Sequence, residues 1–153
     1  YSVQDTREAF ARSELYPSAV ELHSSSVEDF FENETNETLS RFSDILLLGH
    51  DYQEDIERLK MILHSAQSSN SSLDGNEFPR IGAIGSRSKL QTFESACIDD
   101  GIKQIYLSDV RCPIGLNVGA DSPEEIAIAV LAEILSLHKG VDVHSPTWRE
   151  SRS

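Results

Sequence analysis

The chain has 153 residues, 39% of them hydrophobic and 25% charged, a composition that is typical of one folded domain and argues against a disordered segment. Its net charge of −13 argues against nucleic acid or an anionic membrane surface as a partner, because both are themselves negatively charged. Two cysteines are too few for a disulfide framework, so we expect a reducing, cytoplasmic setting and no structural zinc site.

Short strands and helices alternate over the first forty residues. Strands are predicted over 1–4 and 19–22, and each of them leads into a helix. The first helix is expected over 6–15, and the second begins with Ser26 as a capping residue. The polar segment 32–38 predicts a loop or a frayed helix end.

An apolar run at 44–49 predicts a strand that is buried on both faces. Asp51 follows the run and is suited to cap a helix. The apolar residues of that helix recur at helical spacing, at Ile56, Leu59, Ile62, Leu63 and Ala66. The serine- and asparagine-rich stretch 67–79 then predicts a mobile loop inserted between two elements.

The second half of the chain repeats the alternation. Strands are predicted over 80–84 and 102–107, with a helix over 86–100 between them. A capping serine, a first-turn proline and a capping-box glutamate predict a last helix from Ser122 to Lys139. Apolar residues cover most of its circumference, so we expect it to be buried on two sides. The helix is too short and too charged to cross a membrane.

Alternation of strands and helices is typical of an α/β fold with a doubly wound, mostly parallel sheet. Such sheets bind their ligands at the carboxyl ends of the strands. The predicted strand ends place Asp5, His50, Gly85 and the turn at 112–115 along one edge. The sequence therefore predicts a ligand-facing edge built from strand-to-helix turns.

Residues 82–89 (GAIGSRSK) form the first glycine-rich turn on that edge. Glycine lets a ligand approach the backbone closely, and Arg87 and Lys89 are suited to bond phosphate. The spacing is not that of a P-loop. Residues 77–111 contain five acidic and five basic residues, so an anion is better tolerated there than elsewhere. The alternative is a tight turn with two solvated bases.

The second turn, Cys112-Pro113-Ile114-Gly115, is rigid and carries a thiol at its start. A partly exposed thiol beside Arg111 is expected to have more thiolate character than usual. Such a thiol suits a soft metal or a sulfur carrier. The alternative is a buried, unreactive cysteine.

The other strand ends also have two interpretations. Asp5 stands where a dinucleotide fold has the acid that bonds a ribose hydroxyl, and it is equally placed to cap the following helix. His50 and Asp51 are either ligand contacts or a helix-capping pair. The sequence alone assembles no Ser–His–Asp or Cys–His set, so no catalytic residue is assigned.

Two long motifs carry a resemblance to a known family. The segments GAIGSRSK at 82–89 and PIGLNVGADSPEEIAIAVLAEIL at 113–135 resemble the C-terminal Rossmann-like domain of the XdhC/CoxI family. These proteins are maturation factors for molybdenum hydroxylases such as xanthine dehydrogenase. Shorter matches at 3–11, 49–51 and 138–140 follow in the same order.

The resemblance implies a Rossmann-like domain over 1–140 and a tail over 141–153, with a chaperone function rather than an enzymatic one. Family members are taken to bind the molybdenum cofactor (molybdopterin), to protect it while a desulfurase supplies its terminal sulfur ligand, and to pass it to the apo molybdenum hydroxylase. A homodimer is also expected. NAD(P) stays open as a ligand of an oxidoreductase domain, and so does a non-catalytic dimerisation or docking module.

The resemblance also implies a cofactor-binding site at the strand ends and the two glycine turns. The candidate residues are Asp5, Arg7, His50, Asp51, Gly82, Gly85, Ser86, Arg87, Lys89, Cys112, Pro113, Ile114 and Gly115. Among them, Cys112 is the candidate contact to molybdenum or to its sulfur ligand.

Three departures from the family pattern matter. The strand and glycine-rich turn that open the family's domain are not found before the match, so we expect the first βα unit to be missing and the sheet to have a central gap. The chain would then be a fragment, a split product or the acceptor of a partner's strand. The family's N-terminal domain with its own cysteine motif is also not found, which would leave a site that uses that cysteine incomplete. Finally, Asn117 stands where an aspartate is usual.

Overall fold

The computed structural model describes residues 1–144 and divides the chain into two compact units, one over residues 1–112 and the other from residue 113 onward. The expected tail over 141–153, with Trp148, lies outside the described residues from position 145 on. Within residues 1–144, no helix has both the length and the apolar character needed to cross a bilayer.

The first unit alternates strands with helices. Its strands are β1 (Ser2–Gln4), β2 (Glu21–His23), β3 (Asp44–Leu47) and β4 (Arg80–Ala83). Its helices are α1 (Val27–Glu32), α2 (Asn36–Leu39), α3 (Tyr52–Ser69), α4 (Arg87–Asp99) and α5 (Gln104–Leu107). The second unit contains α6 (Pro123–Lys139).

The strands form two parallel pairs. β1 pairs with β2, with Val3 opposite Leu22, and β3 pairs with β4. A single parallel bridge between Gly82 and Arg111 extends the second pair. Across residues 1–144, no strand joins the two pairs into one sheet. The predicted α/β, Rossmann-like class with parallel strands is confirmed.

Helix α3 lies at the centre of the first unit's core. Its residues Leu59, Leu63 and Ala66 have no exposed surface, and the same holds for Phe93 and Cys97 of α4. The helical spacing of apolar residues therefore predicted both the existence of α3 and the face that it buries.

The structure corrects two of the predicted elements. The helix expected over 6–15 is reduced to one 3-10 turn, Glu8–Phe10. Phe10 is 45% exposed, so its side chain buries little apolar area that could stabilise a longer helix. The strand expected over 102–107 is the short helix α5. A short apolar run does not distinguish a strand from a buried helix, which explains this error.

Two segments expected to be loops are more ordered than predicted. Within 32–38, Thr35 and Thr38 exchange hydrogen bonds in a capping box that starts α2. The stretch 67–79 begins inside α3, and its later part is anchored because Leu73 and Phe78 are buried.

Strand β3 is less buried than its apolar sequence predicted. Leu47 is buried, whereas the next residue, Leu48, is 54% exposed. The expectation of burial on both faces is therefore wrong. The pattern assumed neighbouring strands on both edges, and β3 pairs only with β4 among the strands of residues 1–144.

Helix α6 begins and ends where its capping signals predicted. The Ser122 hydroxyl accepts a hydrogen bond from the Glu125 N–H, the Glu125 carboxylate accepts the Ser122 N–H in return, and Gly140 ends the helix in the left-handed conformation. Within 123–139, however, only Ala129 and Val130 are buried. The expectation that α6 is buried on two sides is wrong.

Candidate functional site

The candidate site in the first unit is the edge where β3 and β4 end. The Ile84 N–H donates to the Leu47 carbonyl at 3.3 Å, which keeps the two strand exits side by side. Arg111 bonds β4 through the Ile81 carbonyl and the Ala83 N–H, at 3.0 and 2.9 Å. The strand ends thus bring the segments starting at Leu48, Ile84 and Cys112 to one edge. Asp5, which was predicted on the same edge, instead follows β1 in the other strand pair.

The start of α4 faces solvent at this edge. Gly85, Ser86 and Arg87 are all exposed. The Ser86 hydroxyl accepts the Lys89 N–H at 3.3 Å and so caps the helix. An exposed helix start with an arginine beside it is suited to an anionic group. Arg87 therefore stays a candidate phosphate-binding residue.

Lys89 points away from the solvent, unlike Arg87. Its ammonium donates to the Ile84 carbonyl at 2.8 Å, and only 16% of its side chain is exposed. A Cβ added to Gly85 would collide with the Lys89 side chain, so the glycine makes room for it. In this structure Lys89 therefore stabilises the turn from its buried side, through the hydrogen bond to the Ile84 carbonyl.

A buried carboxylate, Asp55 of α3, faces the Lys89 ammonium. The distance from Asp55 Oδ2 to Lys89 Nζ is 3.6 Å, and Asp55 Oδ1 accepts a hydrogen bond from Arg58 Nη1 at 3.1 Å. Asp55 has no exposed surface, and no group of residues 1–144 donates a hydrogen bond to its Oδ2. A Cβ on Gly49 would collide with this carboxylate.

The buried position of Asp55 was not predicted, although the sequence carries a signal for it. Asp55 precedes Ile56 and lies four residues before Leu59, so it falls on the buried face of α3. An acid on the apolar face of a helix requires a partner, because burial of an unpaired charge is costly.

Arg58 connects this edge to β1 within the first unit. Its Nε donates to Gln4 Oε1 at 2.9 Å, and its Nη2 donates to Glu54 Oε2 at 3.2 Å. The Thr6 hydroxyl donates to the other Glu54 oxygen at 2.9 Å. Polar side chains, rather than a backbone ladder, therefore join the end of β1 to α3.

The thiol of Cys112 is half-buried at the same edge. Burial raises its pKa, and the positive charge of Lys89 lowers it by a smaller amount. The expected thiolate character is therefore not found, and the cation that acts on the thiol is Lys89 rather than Arg111. The second cysteine, Cys97, is fully buried, and burial raises its pKa to about 11.

Asp5 is engaged by Arg7 at the end of β1. Its carboxylate accepts hydrogen bonds from the Arg7 backbone N–H, Nε and Nη2, at 2.9 to 3.0 Å. These bonds lower the pKa of Asp5. The Arg7 guanidinium also lies 3.9 Å from the centre of the Phe10 ring. A ribose hydroxyl would have to compete with Arg7 for this carboxylate.

The pair that follows β3 divides into one capping residue and one exposed residue. Asp51 Oδ1 accepts the backbone N–H groups of Gln53 and Glu54, at 2.8 and 3.2 Å, so Asp51 caps α3 as predicted. The His50 residue is exposed at the edge where β3 and β4 end.

The turn at 113–115 belongs to the second unit. Gly115 has a φ of +121° and donates its N–H to Glu133 of α6. A Cβ on Gly115 would approach the Ala129 side chain to 3.4 Å, and Ile114 is buried. These contacts show a turn that packs closely on its own helix.

Within residues 1–144, no group of three or more His, Cys, Asp or Glu side chains is arranged to hold a metal ion. A cleft of about 430 Å³ near the end of β1 is lined by Thr6, Ser26, Val27, Glu28, Gln53, Glu54 and Glu57. Its three glutamates make it a poor site for an anion.

Comparison with known proteins gives a consistent family. The family model for the XdhC Rossmann domain matches residues 1–134. A probable xanthine dehydrogenase subunit of Bacillus subtilis is 30% identical over 142 residues, which are 92% of this chain and 36% of that protein. The uncharacterized protein YqeB of Escherichia coli is 40% identical over 57 residues, which are 37% of this chain and 10% of that protein.

A solved structure has the same fold. The crystal structure of a xanthine dehydrogenase from Bacillus halodurans matches with a TM-score of 0.68, over 97% of this chain and 38% of that one, at 22% identity. The matches cover 10%, 36% and 38% of these three proteins, so the chain corresponds to only part of their length.

Proposed function

The chain belongs to the XdhC family, and from this membership we propose that it is a maturation factor that binds the molybdenum cofactor for a xanthine dehydrogenase-type hydroxylase. The observation that supports this role best is the pairing of two kinds of group at one edge of the first unit. An exposed helix start with Arg87 suits a phosphate, and the half-buried Cys112 thiol suits a soft metal or sulfur atom. Molybdopterin carries both a phosphate and a metal–sulfur end.

In this proposal Arg87 and the first N–H groups of α4 hold the phosphate. Lys89 keeps the turn closed from behind and contributes positive charge without leaving the Ile84 carbonyl. Cys112 contacts the metal or its sulfur ligand. When bound, the cofactor supplies the molybdenum and dithiolene chemistry, which the recipient hydroxylase uses.

The protonation of Cys112 gives the proposal a pH dependence. Burial raises the pKa of the thiol, so at neutral pH the thiol is mostly protonated. A thiol must lose its proton before it can ligate a metal, so binding through Cys112 releases a proton and strengthens as the pH rises. Binding through the phosphate alone would not strengthen further above about pH 7, because the second pKa of a phosphate is about 6.

The partners proposed with this role are the apo molybdenum hydroxylase, which receives the cofactor, and a desulfurase, which supplies the sulfur. The proposed action is binding and transfer, and no turnover chemistry is assigned to the domain.

The test is co-production of the protein with the cofactor-synthesis enzymes, followed by oxidation and measurement of pterin fluorescence. We expect retained pterin in the wild type and a roughly tenfold loss in Arg87→Ala, because a charge-assisted bond to phosphate is lost. Arg12→Ala, at another exposed arginine, is the matched control and should retain pterin. The absence of pterin from the wild type would reject the proposal.

A second candidate is binding of NADP(H), favoured by Arg7 at the end of β1. In dinucleotide folds an arginine near this position accommodates a 2′-phosphate. Calorimetric titration with NAD(P) and NAD(P)H measures this directly. A clear signal with these nucleotides, together with no retained pterin, would reverse the order of the two candidates.

A further inference from the structure

Helix α6 of the second unit presents an apolar stripe to solvent. Ile128 is 67% exposed, Leu131 is 64% exposed and Leu135 is 57% exposed. The spacing of three and four residues puts these side chains on one face of the helix. The residues that α6 buries, Ala129 and Val130, lie on the other side. Leucine and isoleucine at such exposure, aligned along a helix, are typical of an interaction surface.

Charged residues of opposite sign stand at the two ends of the stripe. At 100° per residue, Glu124 lies in line with the stripe in the first turn of α6, and His138 and Lys139 flank it in the last turn. All three are exposed. The stripe is therefore acidic at one end, apolar in the middle and basic at the other end.

We propose that this stripe binds the same stripe of a second copy of the chain, with the two α6 helices antiparallel. A two-fold axis between positions 131 and 132 places Ile128 against the partner's Leu135. The same axis places Glu124 against the partner's Lys139. The stripe is complementary to itself in this one arrangement, which is the condition for an isologous dimer.

The charges select the antiparallel orientation. A parallel pair would put Glu124 beside Glu124 and Lys139 beside Lys139, and like charges across a helix pair are unfavourable. Because α6 has 17 residues, it is about 25 Å long, so a single helix pair gives a small interface and a dimer of moderate affinity.

The first test is sedimentation velocity over a concentration series. We expect a monomer–dimer equilibrium in the wild type. In Leu131→Asp, at the two-fold axis, the dissociation constant should rise by at least about 30-fold, because a charge would be buried at the centre of the contact. Ile105→Asp is the matched control, since Ile105 is 69% exposed on α5 in the first unit, and it should dimerise like the wild type. A melting curve for each variant checks that it is folded.

The second test measures the register. Glu124→Lys alone and Lys139→Glu alone should each weaken the dimer, and the double variant should restore it, because the antiparallel arrangement pairs the two positions. In a Cys112→Ser background, mixing Ile128→Cys with Leu135→Cys should give a disulfide-linked heterodimer. Cross-linking of Ile128→Cys with itself would indicate a parallel pair and overturn the register. A wild type that stays monomeric at every concentration, or a Leu131→Asp variant that dimerises normally, would overturn the proposal.

Discussion

The two glycine turns, one in each unit, use their glycines in different ways. In the first, Gly85 leaves room for the Lys89 side chain behind the turn, and the front of the turn stays exposed. In the second, Gly115 packs onto Ala129, and its N–H is taken by Glu133. A ligand needs exposed N–H groups, so the comparison favours the first turn as a binding site and the second as a packing site. A glycine-rich pattern alone does not separate the two uses.

The largest expected effect on stability comes from Asp55, the buried carboxylate that faces Lys89 of the first turn. Asp55→Ala removes a fully buried carboxylate that faces Arg58 and Lys89, and it leaves both cations without their buried partner. We expect the free energy of unfolding to fall by about 3–5 kcal/mol, measured by urea denaturation. Asp99→Ala, at an exposed acid of α4, is the control and should change it by less than about 0.5 kcal/mol. Equal losses in the two variants would mean that the Asp55 cluster does not support the turn.

A smaller effect is expected in the second turn. Gly115→Ala places a side chain at a φ of +121°, which L residues rarely adopt, while the new Cβ would meet Ala129 at an ordinary contact distance of 3.4 Å. We therefore expect a loss of about 2–3 kcal/mol from backbone strain. Gly119→Ala, at a φ of +76° with open space around the new Cβ, should cost about 1 kcal/mol. Urea denaturation measures both losses. If the two variants were equally stable, the φ of +121° would not be the reason for glycine at position 115.

The smallest effect distinguishes the two helix starts by pH. Hydrogen bonds from the backbone N–H groups of Asp121 and Ser122 lower the pKa of Glu125. A carboxyl with a lowered pKa in the folded state stabilises the protein above its unfolded pKa of about 4.3, and this stabilisation is lost as the pH falls through the folded value. The α4 start has Lys89 at the corresponding position, so its Ser86 cap gains no such dependence.

Melting temperatures between pH 3 and pH 7 measure this difference. Relative to the wild type, Glu125→Gln should be less stable at pH 7, and the gap should narrow towards pH 3. Glu14→Gln, at an exposed acid outside the helices of the first unit, is the control and should change the melting temperature little at pH 7. A gap that is constant with pH would contradict the capping role of the Glu125 carboxylate.

Capping and periodicity predicted the long helices well. The starts of α3, α4 and α6 at Asp51, Ser86 and Ser122 were all visible in the sequence, because capping is a local interaction. The helix over 6–15 was not found, because a short helix depends on a surface to pack against, and Phe10 remains 45% exposed.

The candidate site was predictable in its position but not in the direction of its side chains. Alternation of strands and helices indicated that the turns after β3 and β4 share an edge. The sequence could not show that Lys89 turns inward while Arg87 stays exposed, because that depends on the Ile84 carbonyl and on Asp55, thirty-four residues earlier. For the same reason, thiolate character was predicted for Cys112, whereas burial in the folded protein raises the pKa of this thiol.

The separate strand pairs of the first unit have a consequence for how the protein opens. β1 and β2 share a backbone ladder only with each other among the strands of residues 1–144, and Arg58 ties the end of β1 to α3 through side-chain hydrogen bonds. Side-chain hydrogen bonds break locally, whereas a continuous backbone ladder opens as one cooperative unit. The amide hydrogens of β1 and β2 should therefore exchange with solvent through a partial opening. Those of α3 should exchange only through global unfolding.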